Sequence, residues 1–232
     1  MLDSIASIFV PIHREGHKFL ALFAAVTVLM FWLLPDFFGW LGVILTVWCA
    51  YFFRDPDRVT PMREGLVIAP ADGRICAIDD VVPSDELDLD GQLCTRVCIF
   101  MNVFDVHVNR AAHTGRITRV NYVPGKFFNA ELDKASKYNE RQAFTLEMQN
   151  GDRLGIVQIA GLVARRIVKF VDEGDSVSAG ERIGLIRFGS RVDVYLPPGK
   201  AAHVSIGQRA IAGETVLADL NTNEPEREAR QL

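Results

Sequence analysis

The chain has 232 residues, 49% of them hydrophobic, with 29 acidic against 25 basic side chains for a formal charge of −4. That apolar content suffices for a buried core and excludes a disordered tail. The lack of a basic excess argues against a nucleic-acid partner, which would demand phosphate neutralisation.

The first third reads as membrane-seeking. Residues 19–34, "FLALFAAVTVLMFWLL", carry no charge; Pro35-Asp36 interrupts, and residues 37–53, "FFGWLGVILTVWCAYFF", are again uncharged. Each half is slightly short of the ~20 residues that cross the hydrocarbon as a perpendicular helix. A cleaved signal peptide is disfavoured, because a second apolar run follows at once and no small-residue cleavage site intervenes. His13, Arg14, His17 and Lys18 precede the runs and Arg54, Arg58 and Arg63 follow them, so both flanks are basic. The positive-inside tendency then places both ends in the cytoplasm, which predicts a tight helical hairpin or a re-entrant anchor over residues 1–58 in the inner membrane. Residues 59–232 form the second domain.

Past Pro56 short apolar or alternating runs recur with turn signals between them, among them "GLVIAP", "RICAIDDVV", "TRVCIFMNVF", "RLGIVQIA", "RIGLIRF", "RVDVYL" and "AHVSIG". Strands at this spacing, with no amphipathic helix between them, predict a mainly β barrel or sandwich. Among the four cysteines there is no Cys-x-x-Cys pair. Cys94 and Cys98, four apart, share one face of a strand, which suits a sheet core better than a zinc site, so no metal is expected. One segment breaks the β pattern: residues 127–141, "FFNAELDKASKYNER", mix aromatic and charged side chains as a functional loop or short helix does.

Near the C-terminus "GDSVSAGERI" from Gly174 aligns with "GQRAIAGETV" from Gly207. Two copies of one turn-and-strand unit predict a pseudo-twofold sandwich of the lipoyl or biotinyl carrier type. Between them lies "RFGSRVDVYLP", where a carrier would offer its cofactor lysine; the segment has none, and Gly189-Ser190 stands there instead. A serine hydroxyl becomes nucleophilic only when a base takes its proton. His107 in "FDVHVNRAAH" shares the polar face of a strand with Asp105 and Asn109, His113 ends the same stretch, and Asp72 in "PADGRI" is a carboxylate on a turn.

Taken in order, "FFRDPDR", "PADGRI", "FDVHVNR", "KFFNAELDKASKYNER", "QIAGLVARRIV" and "IRFGSRVDVYLP" make the chain resemble the short bacterial form of the phosphatidylserine decarboxylase proenzymes over nearly its whole length. Arg191 follows the serine where longer members carry a Gly-Ser-Thr-type sequence, and Arg110 stands three residues after His107. The resemblance implies autocatalytic cleavage between Gly189 and Ser190, a pyruvoyl group made from Ser190 as the only cofactor, and two fragments that stay together as a heterodimer, with a homo-oligomer also possible. It further implies that His107 activates Ser190, that Asp72 holds the imidazole's tautomer, and that His113 is a reserve base. The substrate would be membrane phosphatidylserine, decarboxylated to phosphatidylethanolamine, with Arg141, Arg165 and Arg166 as cations for its phosphate and carboxylate. The competing readings are a non-enzymatic membrane-anchored adaptor of lipoyl type and a pyruvoyl decarboxylase of a soluble amino acid.

Overall fold

The computed structural model describes residues 10–126, 138–161, 166–187 and 190–222, together with 224, 225, 227, 229 and 230. The chain divides into two compact units, Met1–Asp57 and Arg58–Leu232.

The first unit is a helical hairpin. Helix α1 (Arg14–Leu33) begins where the His13 side chain accepts the Glu15 amide, and α2 (Asp36–Phe52) starts directly after Pro35, which cannot continue α1 and suits the start of a new helix. The two pack antiparallel through small residues. A Cβ on Gly42 would lie 2.8 Å from Thr27 Oγ1, and Thr27 and Thr46 share a 2.9 Å hydrogen bond between their hydroxyls. Phe19 stacks on Phe53 at 5.3 Å, and the His13 amide donates to the Phe53 carbonyl, which closes the open end of the hairpin. The outward side chains are apolar: Val28, Trp32, Phe37, Trp40 and Ile44 are each more than 60% exposed. Helix α1 is long and apolar enough to cross a membrane.

The second unit is mainly β, as expected. Its strands are β1 (Leu66–Ile68), β2 (Gly73–Val81), β3 (Cys94–Met101), β4 (Val108–Arg110), β5 (Gly115–Val123), β6 (Arg141–Glu147), β7 (Arg153–Ala160), β8 (Arg166–Lys169), β9 (Ser176–Val177), β10 (Arg182–Arg187), β11 (Ser190–Tyr195), β12 (Arg209–Ala210) and β13 (Val216–Asp219). Among the described residues they form an eight-stranded sheet in the order β12-β2-β3-β11-β7-β6-β5-β9, a three-stranded sheet β4-β10-β8, and the pair β1-β13. Most of segment 127–141 lies outside the described residues. The run at 202–207, expected as a strand, passes through turns: Gly207 sits at φ 94° and the Gln208 amide donates to the Ser205 carbonyl, so the backbone bends where the apolar pattern alone would extend it.

Both copies of the C-terminal repeat make the same turns. Gly174 and Gly207 have φ 95° and 94°, and Gly180 and Gly213 have φ 79° and 78°. The Gly174 amide donates to Ile117 as the Gly207 amide donates to Ile75, and Gly180 donates to Ala111 as Gly213 donates to Ala69. This likeness is local to the turns and their partner strands, and it does not by itself make a carrier-type domain.

Strand β11 lies at the centre of the large sheet. Val192 and Val194 enter the main core with Val97, Ile99 and Ile156, while Arg191, Asp193 and Tyr195 face the other way. The alternation of "RVDVY" would ordinarily signal a solvent face, yet every residue of β11 is buried. The charges are paired rather than solvated: Arg191 Nε and Nη2 hold Asp193 at 2.7 and 2.9 Å. Leu87 and Leu89 cover this second face beside Cys94 and Tyr195, and burial pushes the Tyr195 phenol above its ordinary range. Cys94 and Cys98 are both buried on that face, which is the sheet-core role expected of them.

Candidate active site

Ser190 is the first residue of β11, paired with Met101 on β3 and Ala160 on β7. It is wholly buried, and its Oγ makes no hydrogen bond among the described residues. A buried hydroxyl without a partner costs on the order of 1–3 kcal/mol, so it marks a group kept for something other than stability. Gly189 lies outside the described residues. The chain nevertheless passes, between Arg187 and Ser190, from the central strand of the small sheet to a central strand of the large one.

The stretch before His107 is a tight polar turn. The Asn102 amide donates to Asp105 Oδ2 at 2.9 Å, the Phe104 amide to Asn102 Oδ1 at 2.8 Å, and the Asp105 amide to the Asn102 carbonyl. Arg209 pairs with the same Asp105 carboxylate. The turn delivers His107, 1% exposed, with its Nδ1 at 2.9 Å from the Asp105 carbonyl oxygen. A carbonyl only accepts, so Nδ1 carries a proton; in the neutral ring the lone pair then falls on Nε2, which is the tautomer a general base needs. The His107 carbonyl accepts the Ile186 amide, and Val108 pairs with Leu185, so His107 sits beside the end of β10 that leads to Ser190.

Asp72 occupies the turn before β2. Its carboxylate takes two hydrogen bonds from Arg58 Nη2, at 2.8 and 2.9 Å, and one from the Ala212 amide at 2.8 Å. The turn adjoins the strand after His107, since the Arg110 amide donates to the Pro70 carbonyl. Thus Asp72 stands on a neighbouring segment, but its hydrogen bonds go to Arg58 and Ala212, and the backbone of Asp105 is what orients the imidazole. Arg58, counted from the sequence only as a basic flank, is the partner that the short "DPDR" segment supplies. Arg58→Met is expected to strand a buried carboxylate, costing about 3 kcal/mol. That corresponds to a fall of roughly 10 °C in Tm for a chain of this size, readable by thermal denaturation.

The other expected residues are more scattered. Arg166 is exposed at the start of β8, opposite Arg187 on β10, which lies close in sequence to Ser190; Arg165 lies outside the described residues. Arg141 pairs in register with Ile159, on the face of the sheet opposite Ser190, where Nε holds Glu86 at 2.8 Å. His113 donates from Nδ1 to the Thr114 carbonyl at 2.6 Å and lines a separate cavity with Arg63, Met148 and Leu220. Among the described residues no three His, Cys, Asp or Glu side chains are grouped to hold a metal ion.

A buried serine hydroxyl at a strand start, without a partner among the described residues, and a buried histidine on the segment that pairs with the end of β10 are residue types suited to proton transfer followed by nucleophilic attack. A family model described as phosphatidylserine decarboxylase matches residues 45–218, a span that includes all of these groups. The chain belongs to the phosphatidylserine decarboxylase family. It is 59% identical over 210 residues, 90% of this chain and 95% of the other, to the phosphatidylserine decarboxylase proenzyme of Ruegeria pomeroyi. This member of the phosphatidylserine decarboxylase family is therefore an enzyme of phospholipid metabolism, and the reading as a non-enzymatic adaptor falls away.

Proposed function

We propose that the chain is a self-cleaving proenzyme whose Ser190 becomes the pyruvoyl group of a membrane-bound phosphatidylserine decarboxylase. The observation that carries the proposal is the wholly buried Ser190 Oγ, without a partner among the described residues, at the head of β11 and four residues after Ile186, whose amide donates to the His107 carbonyl. His107 Nε2 takes the hydroxyl proton and Ser190 Oγ attacks the Gly189 carbonyl carbon. The peptide C–N bond breaks to leave an ester and a free amine on residue 190. Loss of the residue 190 Cα proton then expels the ester oxygen, so Gly189 departs as a carboxylate. The remaining unsaturated amine takes up one water and releases ammonia, which leaves a pyruvoyl N-terminus on the 190–232 chain.

The site fits that group, because residue 190 is held on both sides by β3 and β7 and is shielded from water. A pyruvoyl group supplies an electrophilic carbonyl next to an amide, which binds the substrate amine and accepts the electron pair left as CO₂ departs. His107, already positioned, returns a proton to the carbon that lost CO₂. Arg165 and Arg166 are the proposed cations for the lipid phosphate and carboxylate. Arg141 would have to give up Glu86 to join them. The apolar hairpin is proposed to anchor the enzyme in the inner membrane with the second unit on the cytoplasmic side, where a substrate confined to the bilayer is within reach. Asp72 is proposed to support His107 through the adjoining turn.

Wild-type protein incubated with phosphatidylserine vesicles is expected to release CO₂ and to run on a denaturing gel as two fragments. Intact mass should find the smaller fragment lighter by one ammonia than the peptide 190–232 with a free serine. A single uncleaved band from an active preparation would overturn this mechanism. Turnover of free serine at the same rate would move the substrate to a soluble amino acid.

A further inference from the structure

Two residues from Ser190 across the sheet lies a second buried polar atom without a partner among the described residues, Gln158 Oε1. Gln158, wholly buried on β7, pairs in register with Val192, and Ser190 pairs with Ala160, so by the alternation of strands Gln158 and Ser190 share one face. Diagonal neighbours of this kind are roughly 7–8 Å apart at Cα, within the reach of a glutamine side chain. The amide is fixed in orientation. Its Nε2 donates to Asn109 Oδ1 at 2.7 Å, and Asn109 Nδ2 contacts Met101 Sδ, on the residue that pairs with Ser190. Gly184 leaves room for it, since a Cβ there would lie 2.7 Å from Gln158 Nε2. Asn109 in turn follows His107 by two residues on β4. The pair thus spans the gap between the two sheets, and among the described residues the carbonyl oxygen of Gln158 has no donor.

A headgroup carrying a phosphate, a carboxylate and an amine offers only the amine as a donor. We propose that Gln158 is a substrate-binding residue whose Oε1 accepts an N–H hydrogen bond from the substrate amine as that nitrogen is brought to residue 190. Asn109 acts through Gln158 as a positioning residue. This rests on the pyruvoyl reading above.

The test compares full-length wild-type protein with Gln158→Met in detergent, using phosphatidylserine micelles. Cleavage is read on a gel, kcat/KM by CO₂ release, and covalent capture of the lipid amine by mass of the 190–232 chain after cyanoborohydride reduction. The variant is expected to cleave fully while kcat/KM and capture both fall by about 10- to 100-fold, as loss of one hydrogen bond to a charged donor implies. A kcat/KM within about twofold of wild type would overturn the proposal, as would a folded variant that stays uncleaved, which would assign Gln158 to cleavage instead. Should the methionine variant not fold, Gln158→Glu keeps the acceptor, with Asn109 free to turn its amide, and is expected to retain kcat/KM within about threefold; a larger fall would refute the assignment. A wild type that neither cleaves nor decarboxylates refutes the functional reading and not this residue.

Discussion

Ser190→Ala is expected to give a single band of 25.8 kDa with no decarboxylase activity and a Tm equal to or above that of the wild-type protein. Loss of cleavage follows from loss of the only nucleophile on the residue that the proposed mechanism turns into the N-terminus. The stability half of the expectation is the more discriminating. A structural serine makes hydrogen bonds, and removing it destabilises; Ser190 Oγ makes none among the described residues, so deleting it is expected to relieve a buried, unsatisfied group worth on the order of 1–3 kcal/mol. A gel, a CO₂ assay and a thermal melt on the same preparation settle both halves. Two fragments from the alanine variant would end the proposed mechanism, and a large drop in Tm would return Ser190 to an ordinary packing role.

His107→Gln is expected to fold, because a glutamine amide can still donate to the Asp105 carbonyl that now receives Nδ1. Its cleavage should slow by about 10²- to 10⁴-fold, the usual contribution of a general base, and appear as precursor that disappears over hours rather than during expression. What does mature should decarboxylate slowly as well, if the same imidazole returns the proton to the decarboxylated carbon. A time course of the precursor band separates the first effect, and CO₂ release per cleaved chain the second. Cleavage at the wild-type rate would shift the base to another residue, with His113→Gln as the next variant to measure; the separate cavity that His113 lines makes that outcome unexpected.

The Asp72 carboxylate shows that residue types alone do not fix which groups touch. A serine, a histidine and an aspartate invite a relay in which the acid touches the imidazole. In the fold the acid is taken by Arg58 and the Ala212 amide, and a backbone carbonyl orients the ring. The same tautomer results, by a group that no side-chain motif announces.

Local signals were sufficient for the apolar hairpin, the mainly β second unit and the burial of Cys94 and Cys98, because each depends on composition or period within a short window. Segment 127–141 and the arginine at 165 stay expectations of that kind. What the tertiary structure alone decided is everything that depends on register between distant strands. The pairing of β11 with β3 and β7 buries both faces of "RVDVY", including an Arg191–Asp193 ion pair that reads as solvent-facing in sequence. Register also sends Arg141 to the face opposite Ser190 and brings Gln158 to the same face. Gln158 opens the "QIAGLVARRIV" stretch, where nothing along the chain marks its amide, and only its neighbours across two sheets make visible an oxygen that is unpaired among the described residues. A side chain's neighbours along the chain set its element, whereas its neighbours across the sheet set its chemistry.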